Sequence, residues 1–242
     1  MKIFAANWKL HKTPKETRDF FAEFTKLAVV SDQTIVFFPP ATSFEACSQS
    51  LSASKIEWGA QNSYFEGKGA FTGEISALVV KELGGQWILL GHSERRKIFA
   101  ETDELISKKF QFVQSLGLKP MLCIGETLEE REAGNTAQVT KTQLVKGLAL
   151  ADKSKPLAIA YEPVWAIGTG KVATPAQVKE THQIVHEQLQ QLGFAVNTPI
   201  LYGGSVKAEN AKELIQIPHV DGFLVGGASL EVKSFAEICA SL

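Results

Sequence analysis

Cysteine is scarce in this chain: Cys47, Cys123 and Cys239 are far apart and odd in number. No Cys-x-x-Cys pair occurs, so no disulfide framework can be drawn. There is no Asn-x-Ser/Thr sequon. Neither sign of charge is in excess: 25 Lys and Arg stand against 26 Asp and Glu, a net charge of −1. That balance leaves nothing to grip a nucleic-acid backbone, so an anionic ligand would be small and held by a local site. No apolar run approaches the roughly 18–20 residues of a membrane span. The opening, Met1-Lys-Ile-Phe-Ala-Ala-Asn-Trp8, lacks the apolar core of a signal peptide. The expectation is a soluble, reduced, cytoplasmic protein without a nucleic-acid or membrane partner. No Pro/Gly/Ser linker or composition shift divides the 242 residues, which predicts one domain over 1–242.

What is present is regular alternation. Eight short apolar runs lie along the chain: Ile3–Trp8, Thr34–Phe38, Lys55–Ala60, Gln86–Gly91, Met121–Gly125, Leu157–Tyr161, Pro199–Gly203 and Gly222–Gly226. Runs this continuous suit strands buried on both faces of a parallel sheet. Between them fall segments with helical spacing, among them 15–30, 103–116, 138–150 and 175–192. In the first, Thr17, Phe20, Phe21, Phe24 and Leu27 share one predicted face. Thr13-Pro14 and Thr174-Pro175 read as an N-cap followed by proline in the first turn. Gly117 and Gly193 read as helix-ending glycines. Eight strand–helix units of about 30 residues each predict an α/β fold, a closed eight-stranded parallel barrel surrounded by helices, (β/α)8.

In such a barrel the chemistry sits at the carboxyl ends of the strands. That rule selects Asn7 and Lys9 after strand one, and Gly91-His-Ser-Glu-Arg-Arg96 after strand four. It also selects Cys123-Ile-Gly-Glu126 after strand five and Glu162-Pro-Val-Trp165 after strand six. Glycine pairs Gly203-Gly204, followed by Ser205, and Gly226-Gly227 end strands seven and eight, where backbone N–H groups can meet a phosphate. The stretch Trp165-Ala-Ile-Gly-Thr-Gly-Lys171 does not match a P-loop, because no glycine lies five residues before Gly170 and Val172 follows the lysine. A small-residue tip between stiffer ends reads instead as a lid. A carboxylate in a dry pocket is expected to be a strengthened base. His92 opens a helical turn, whose N–H groups favour neutral imidazole. Cys123 reads as a packing neighbour behind Glu162, since no activating partner adjoins it. His182-Gln-Ile-Val-His186 has metal-ligand spacing, yet lacks the intervening Glu and a third ligand. Glu129–Glu132 reads as a solvated face.

Several of these segments resemble one family, that of triosephosphate isomerase. The resemblance is carried by Ala6-Asn-Trp-Lys9, Gly91–Arg96, Cys123–Glu126, Ala160–Lys171, Tyr202-Gly-Gly-Ser-Val206 and Leu224-Val-Gly-Gly-Ala-Ser229, in matching order over essentially the whole chain. It implies a TIM barrel that interconverts dihydroxyacetone phosphate and D-glyceraldehyde 3-phosphate, a step of glycolysis and gluconeogenesis, without metal or organic cofactor. It implies Glu162 as base, His92 as electrophile, Lys9 as cation and Asn7 as polar partner. Glu94 would stand as a second carboxylate nearby. Gly168, Ser205, Gly226 and Gly227 would bind the phosphate. It further implies a homodimer in which Thr72 lies beside Asn7 and Lys9 of a second copy, and Glu74 pairs with that copy's Arg95. The 61–74 stretch is long for a loop between strand and helix, and it carries Tyr64, Phe65 and Phe71. Departures from the family pattern are minor: Val172 stands where the family often carries Thr, and Gly84-Gly85 and the segment Ile215–Val220 look individual.

Two other readings stay open on the sequence. A Schiff-base aldolase would need a desolvated lysine, for which Lys9 is the only candidate. A catalytically silent barrel would require loss of Glu162, His92 or Lys9, and all three are present.

Overall fold

A computed structural model describes residues 2–27, 33–167 and 171–242. Its strands are β1 (Lys2–Asn7), β2 (Gln33–Phe38), β3 (Glu57–Ala60), β4 (Trp87–Leu90), β5 (Lys119–Ile124), β6 (Ala158–Tyr161), β7 (Ile200–Tyr202) and β8 (Gly222–Val225). Each pairs in parallel with the next, and β8 returns to β1 to close the barrel. The helices are α1 (Pro14–Phe24), α2 (Phe44–Leu51), α3 (Ala77–Glu82), α4 (Ser93–Ile98), α5 (Asp103–Ser115), α6 (Leu128–Glu132), α7 (Thr136–Gly147), α8 (Pro175–Gln191), α9 (Ala208–Leu214) and α10 (Val232–Cys239). The closed parallel barrel with surrounding helices is the expected fold.

Strand alternation divides the core in two. Ile3, Ala5, Val36, Phe38, Trp87, Leu89, Met121, Cys123, Ala158, Ala160, Leu201 and Leu224 cluster as one buried set inside the barrel. The alternate strand residues join the helices in a larger cluster outside it. Small Ala5, Ala158 and Ala160 leave room for Phe38, Trp87 and Met121, so the interior is filled. The same parity carries two polar residues to the mouth: Asn7 follows Ile3 and Ala5, and Glu162 follows Ala158 and Ala160. Outside, Phe20, Phe21 and Phe24 of α1 pack on Phe37 at centroid distances of 4.9–5.6 Å. Each buried ring of this kind contributes about 2–3 kcal/mol.

Local signals account for the helix starts. Thr13 and Thr174 each accept from the third helical N–H, while Glu16 and Gln177 reach back to complete capping boxes. Gly117 and Gly193 take positive φ after α5 and α8. The first helix is shorter than its pattern: it ends at Phe24, and Leu27 is 39% exposed rather than on the buried face. Residues 28–30 of that predicted segment lie outside the described residues. The segment expected at 138–150 starts earlier, at Thr136, and ends at Gly147. Strand ends move by one or two residues: Trp8 lies beyond β1, and Lys55 and Ile56 precede β3. Among the described residues, no helix is long and apolar enough to cross a membrane.

Candidate active site

Strand parity, one strained turn and one helix start bring the polar residues together. Beyond β1 the chain turns sharply, and Lys9 adopts φ +50. A left-handed lysine costs about 1 kcal/mol or more and needs bracing. Asn7 supplies it by accepting the Lys9 N–H on Oδ1 at 3.1 Å. Gln61 adds to it, donating from Nε2 to Lys9 O and to Phe38 O, each at 2.8 Å. Lys9 Nζ then reaches Glu94 Oε1 at 2.7 Å.

His92 is the N-cap of α4, and its Nδ1 accepts the Glu94 N–H at 3.2 Å. That contact requires a lone pair on Nδ1, so the proton sits on Nε2. Nε2–H donates to Glu162 Oε1 at 2.9 Å. Glu162 Oε2 accepts the Ser93 N–H at 3.1 Å. Both His92 and Glu162 are buried.

These contacts revise two expectations about basicity. Burial pushes Glu162 upward, but His92, the Ser93 amide and Lys9 together hold it below the usual carboxylate range. Glu162 is therefore dry but not apolar, and as it stands it is a restrained base rather than a strengthened one. Burial lowers His92, yet the opposing charge of Glu162, with Glu94 beyond, carries it above its ordinary value. The Glu94 amide at Nδ1 favours the neutral imidazole, and the Glu162 carboxylate at Nε2 pulls in the opposite direction.

A cleft of about 280 Å³ opens beside this pair, lined by Asn7, Lys9, His92, Glu162, Ala166 and Ile167, and by the segments 203–207 and 226–228. Ser205, Gly226 and Gly227 thus face the same space as Glu162. Trp8 fastens this side: its buried Nε1–H donates to Ser229 O at 3.1 Å, and Ser229 Oγ donates to Gly226 O at 2.6 Å. Gly168, assigned to the phosphate, lies outside the described residues, as do residues 169 and 170 of the lid.

Cys123 sits buried behind Glu162, and burial followed by the Glu162 charge pushes its thiol upward, away from nucleophile chemistry. His182 turns inward and is held near pKa 4 by burial, whereas His186 stacks on His219 at 3.9 Å. The two therefore do not share a face toward one ligand. The 129–132 segment is not wholly solvated: Arg131 reaches in to Glu126 at 3.5 Å and to Thr181 at 3.2 Å.

Thr72 and Glu74 are exposed. Arg95 pairs within the chain with Glu101 at 3.4 Å and lies over Phe99. In the long loop, Tyr64 packs against Phe65 and Phe71 at 4.3 and 4.5 Å.

Several contributors were absent from the sequence reading. Gln61 has no motif of its own, and Ser93, inside the quoted Gly91–Arg96 motif, was given no role toward Glu162. Glu126 stood in a quoted motif without a role. It is fully buried, and its Oε1 accepts from Tyr161 Oη and Trp165 Nε1, both at 3.0 Å. The only signal available was an acidic residue directly after a strand.

The family model for triosephosphate isomerase matches residues 2–242. The triosephosphate isomerase of Bdellovibrio bacteriovorus is 64% identical over 239 residues, 99% of each chain. That of Carboxydothermus hydrogenoformans is 49% identical, over 98% of this chain and 96% of the relative. That of Aquifex aeolicus is 44% identical, over 99% of both. A lysine, a histidine and a carboxylate gathered at the mouth of a closed barrel thus agree with matches that run nearly end to end, and the chain belongs to the triosephosphate isomerase family.

Proposed function

We propose that the chain interconverts dihydroxyacetone phosphate and D-glyceraldehyde 3-phosphate, with Glu162 as the proton-transfer base. Glu162 removes a proton from the carbon bearing the hydroxyl, and the electrons move onto the carbonyl oxygen to give an enediolate. His92 Nε2–H donates to the two substrate oxygens, and Lys9 stabilises the negative charge that develops there. The remaining hydroxyl proton passes to the oxygen that was the carbonyl, and as the first oxygen becomes the new carbonyl Glu162 returns its proton to the neighbouring carbon, which completes the isomerisation without a cofactor. The phosphate rests against Ser205, Gly226, Gly227 and Gly168.

The observation that carries this reading is the His92 Nε2–Glu162 Oε1 contact at 2.9 Å. A substrate oxygen that takes the His92 donor strips Glu162 of the partner that most depresses it. The base is strengthened only when there is a proton to remove. Glu162→Gln keeps the shape and removes basicity. In a coupled isomerase assay kcat should fall by at least about 10³. A fall below tenfold would assign the proton to another group.

The working unit in this reading is a homodimer of one-domain chains in the cytoplasm. Beside the catalytic cleft lies a groove of about 540 Å³ that shares Asn7, Lys9 and His92 and is edged by Leu10, Ile98 and Phe99. Those three apolar side chains are 94%, 67% and 64% exposed. Apolar exposure at a site mouth suits the 61–74 loop of a second copy, with Thr72 inserted and Glu74 against that copy's Arg95. The free, buried state of all three cysteines suits a reducing compartment.

A further inference from the structure

Strand β5 ends its ladder at Ile124, and the Glu162 N–H bonds to Ile124 O at 2.7 Å. The next residue, Gly125, lies against the base: a Cβ there would sit 1.7 Å from Glu162 O. Only glycine permits so close a backbone contact, and glycine is also the residue least able to hold its own conformation. The side chain of Gln143, from α7, supplies what Gly125 lacks. Its Oε1 accepts the Gly125 N–H at 2.7 Å, and its Nε2 donates to Gly125 O at 3.1 Å. One amide thus bonds both peptide groups that flank Gly125, as a paired strand would, and sets its φ and ψ.

We propose that Gln143 is a positioning residue for Glu162, acting through Gly125. The inference rests on Glu162 being the base. Gln143 does not line the cleft that holds Lys9, His92 and Glu162. Its grip passes through Gly125 to the Glu162 carbonyl on one side. On the other it passes to Glu126, whose carbonyl accepts the Val164 N–H at 3.1 Å. Proton transfer between carbon atoms demands a near-attack geometry, and a displacement of about 1 Å costs on the order of 10²-fold in rate. An unclamped Gly125 lets Glu162 wander on that scale while the phosphate loops stay where they are. The loss therefore falls on kcat and spares KM.

Gln143→Met keeps the length of the side chain and removes both hydrogen bonds. Gly125→Ala disturbs the same contact from the other side. Active sites are counted with a tight-binding carboxylate-bearing phosphate monoester that mimics the enediolate. For each variant kcat per active site should fall about 10- to 100-fold, with KM changed less than about threefold. A lowered melting temperature with kcat per site within about threefold of the parent would make Gln143 a brace for stability and overturn the proposal. Should Gln143→Met fail to fold, Gln143→Glu keeps the acceptor, loses the donor and is read by the same criteria. Glu162→Gln is assayed alongside. Full activity there removes the base assignment, whereas an inactive Glu162→Gln beside a normal Gln143→Met removes only the positioning role.

Discussion

Lys9 and Glu94, one after β1 and the other in the first turn of α4, form an ion pair of 2.7 Å at the mouth of the barrel. Their side chains are about a third to a half exposed, so the pair contributes under about 1 kcal/mol to stability. Its consequence is orientation. Lys9 stands on a left-handed backbone, and Glu94 holds its Nζ beside His92.

Glu94→Gln should accordingly leave thermal unfolding nearly unchanged and lower kcat/KM by about tenfold, a loss near 1.4 kcal/mol of transition-state stabilisation. Steady-state kinetics beside a thermal melt reads both quantities. A kcat/KM within about twofold of the parent would show that Lys9 finds its place unaided.

The lid assigned to Ala166–Gly170 is described only as far as Ile167. Its stem is a turn at Val164–Ala166 whose Trp165 donates to Glu126 at 3.0 Å. Loop closure, for which this enzyme family is itself a standard example, excludes water and holds a reactive intermediate. Deleting residues 167–170 should lower kcat and raise the yield of methylglyoxal and inorganic phosphate. Product analysis decides the matter, since unchanged partitioning would leave the lid without a protective role.

Thr72 is exposed at the tip of a loop whose aromatics already pack on one another. An arginine there changes little within one chain and blocks insertion into a second. Thr72→Arg should sediment as a monomer of about 26.4 kDa with kcat at least about tenfold lower. The parent should sediment at twice that mass. A fully active parent monomer would exclude the dimer requirement.

His182, which takes no part in the proposed chemistry, should make the fold acid-sensitive. Its Nδ1 is 2.8 Å from His219 O, its Nε2 has no partner among the described residues, and burial depresses its pKa to about 4. Below the unfolded value of about 6.5 the unfolded chain takes up a proton that the folded chain refuses. Stability is therefore complete above that pH and falls as pH drops toward 4, by on the order of 3 kcal/mol in total. The raised His92 acts in the opposite sense, because its added stability is present at low pH and lost as pH rises. Comparing the parent with His182→Leu isolates the first effect. Urea midpoints at about pH 7 and pH 4.5 should separate more for the parent than for the variant. Parallel pH dependence in the two would refute the assignment.

Sequence periodicity alone was enough for the barrel. Eight apolar runs, proline-headed helices and Gly117 and Gly193 are local devices, and local physics decides them. The strand-end rule then reached Asn7, Lys9, His92, Glu162, Ser205 and the Gly226 pair, because parity along a strand dictates which residues arrive at the mouth. Tertiary structure decided what depends on groups distant in the chain. That α1 stops at Phe24 and leaves Leu27 39% exposed shows only in the folded chain. The depressed carboxylate of Glu162 could not be inferred from an apolar neighbourhood, because the donors that hold it come from α4, packed at another strand end. Gln61 and Gln143 carry no pattern of their own, and Glu126 stood in a motif that gave it no role. Each acts through hydrogen bonds of fixed length to atoms on other elements, and those distances exist only once the barrel has closed.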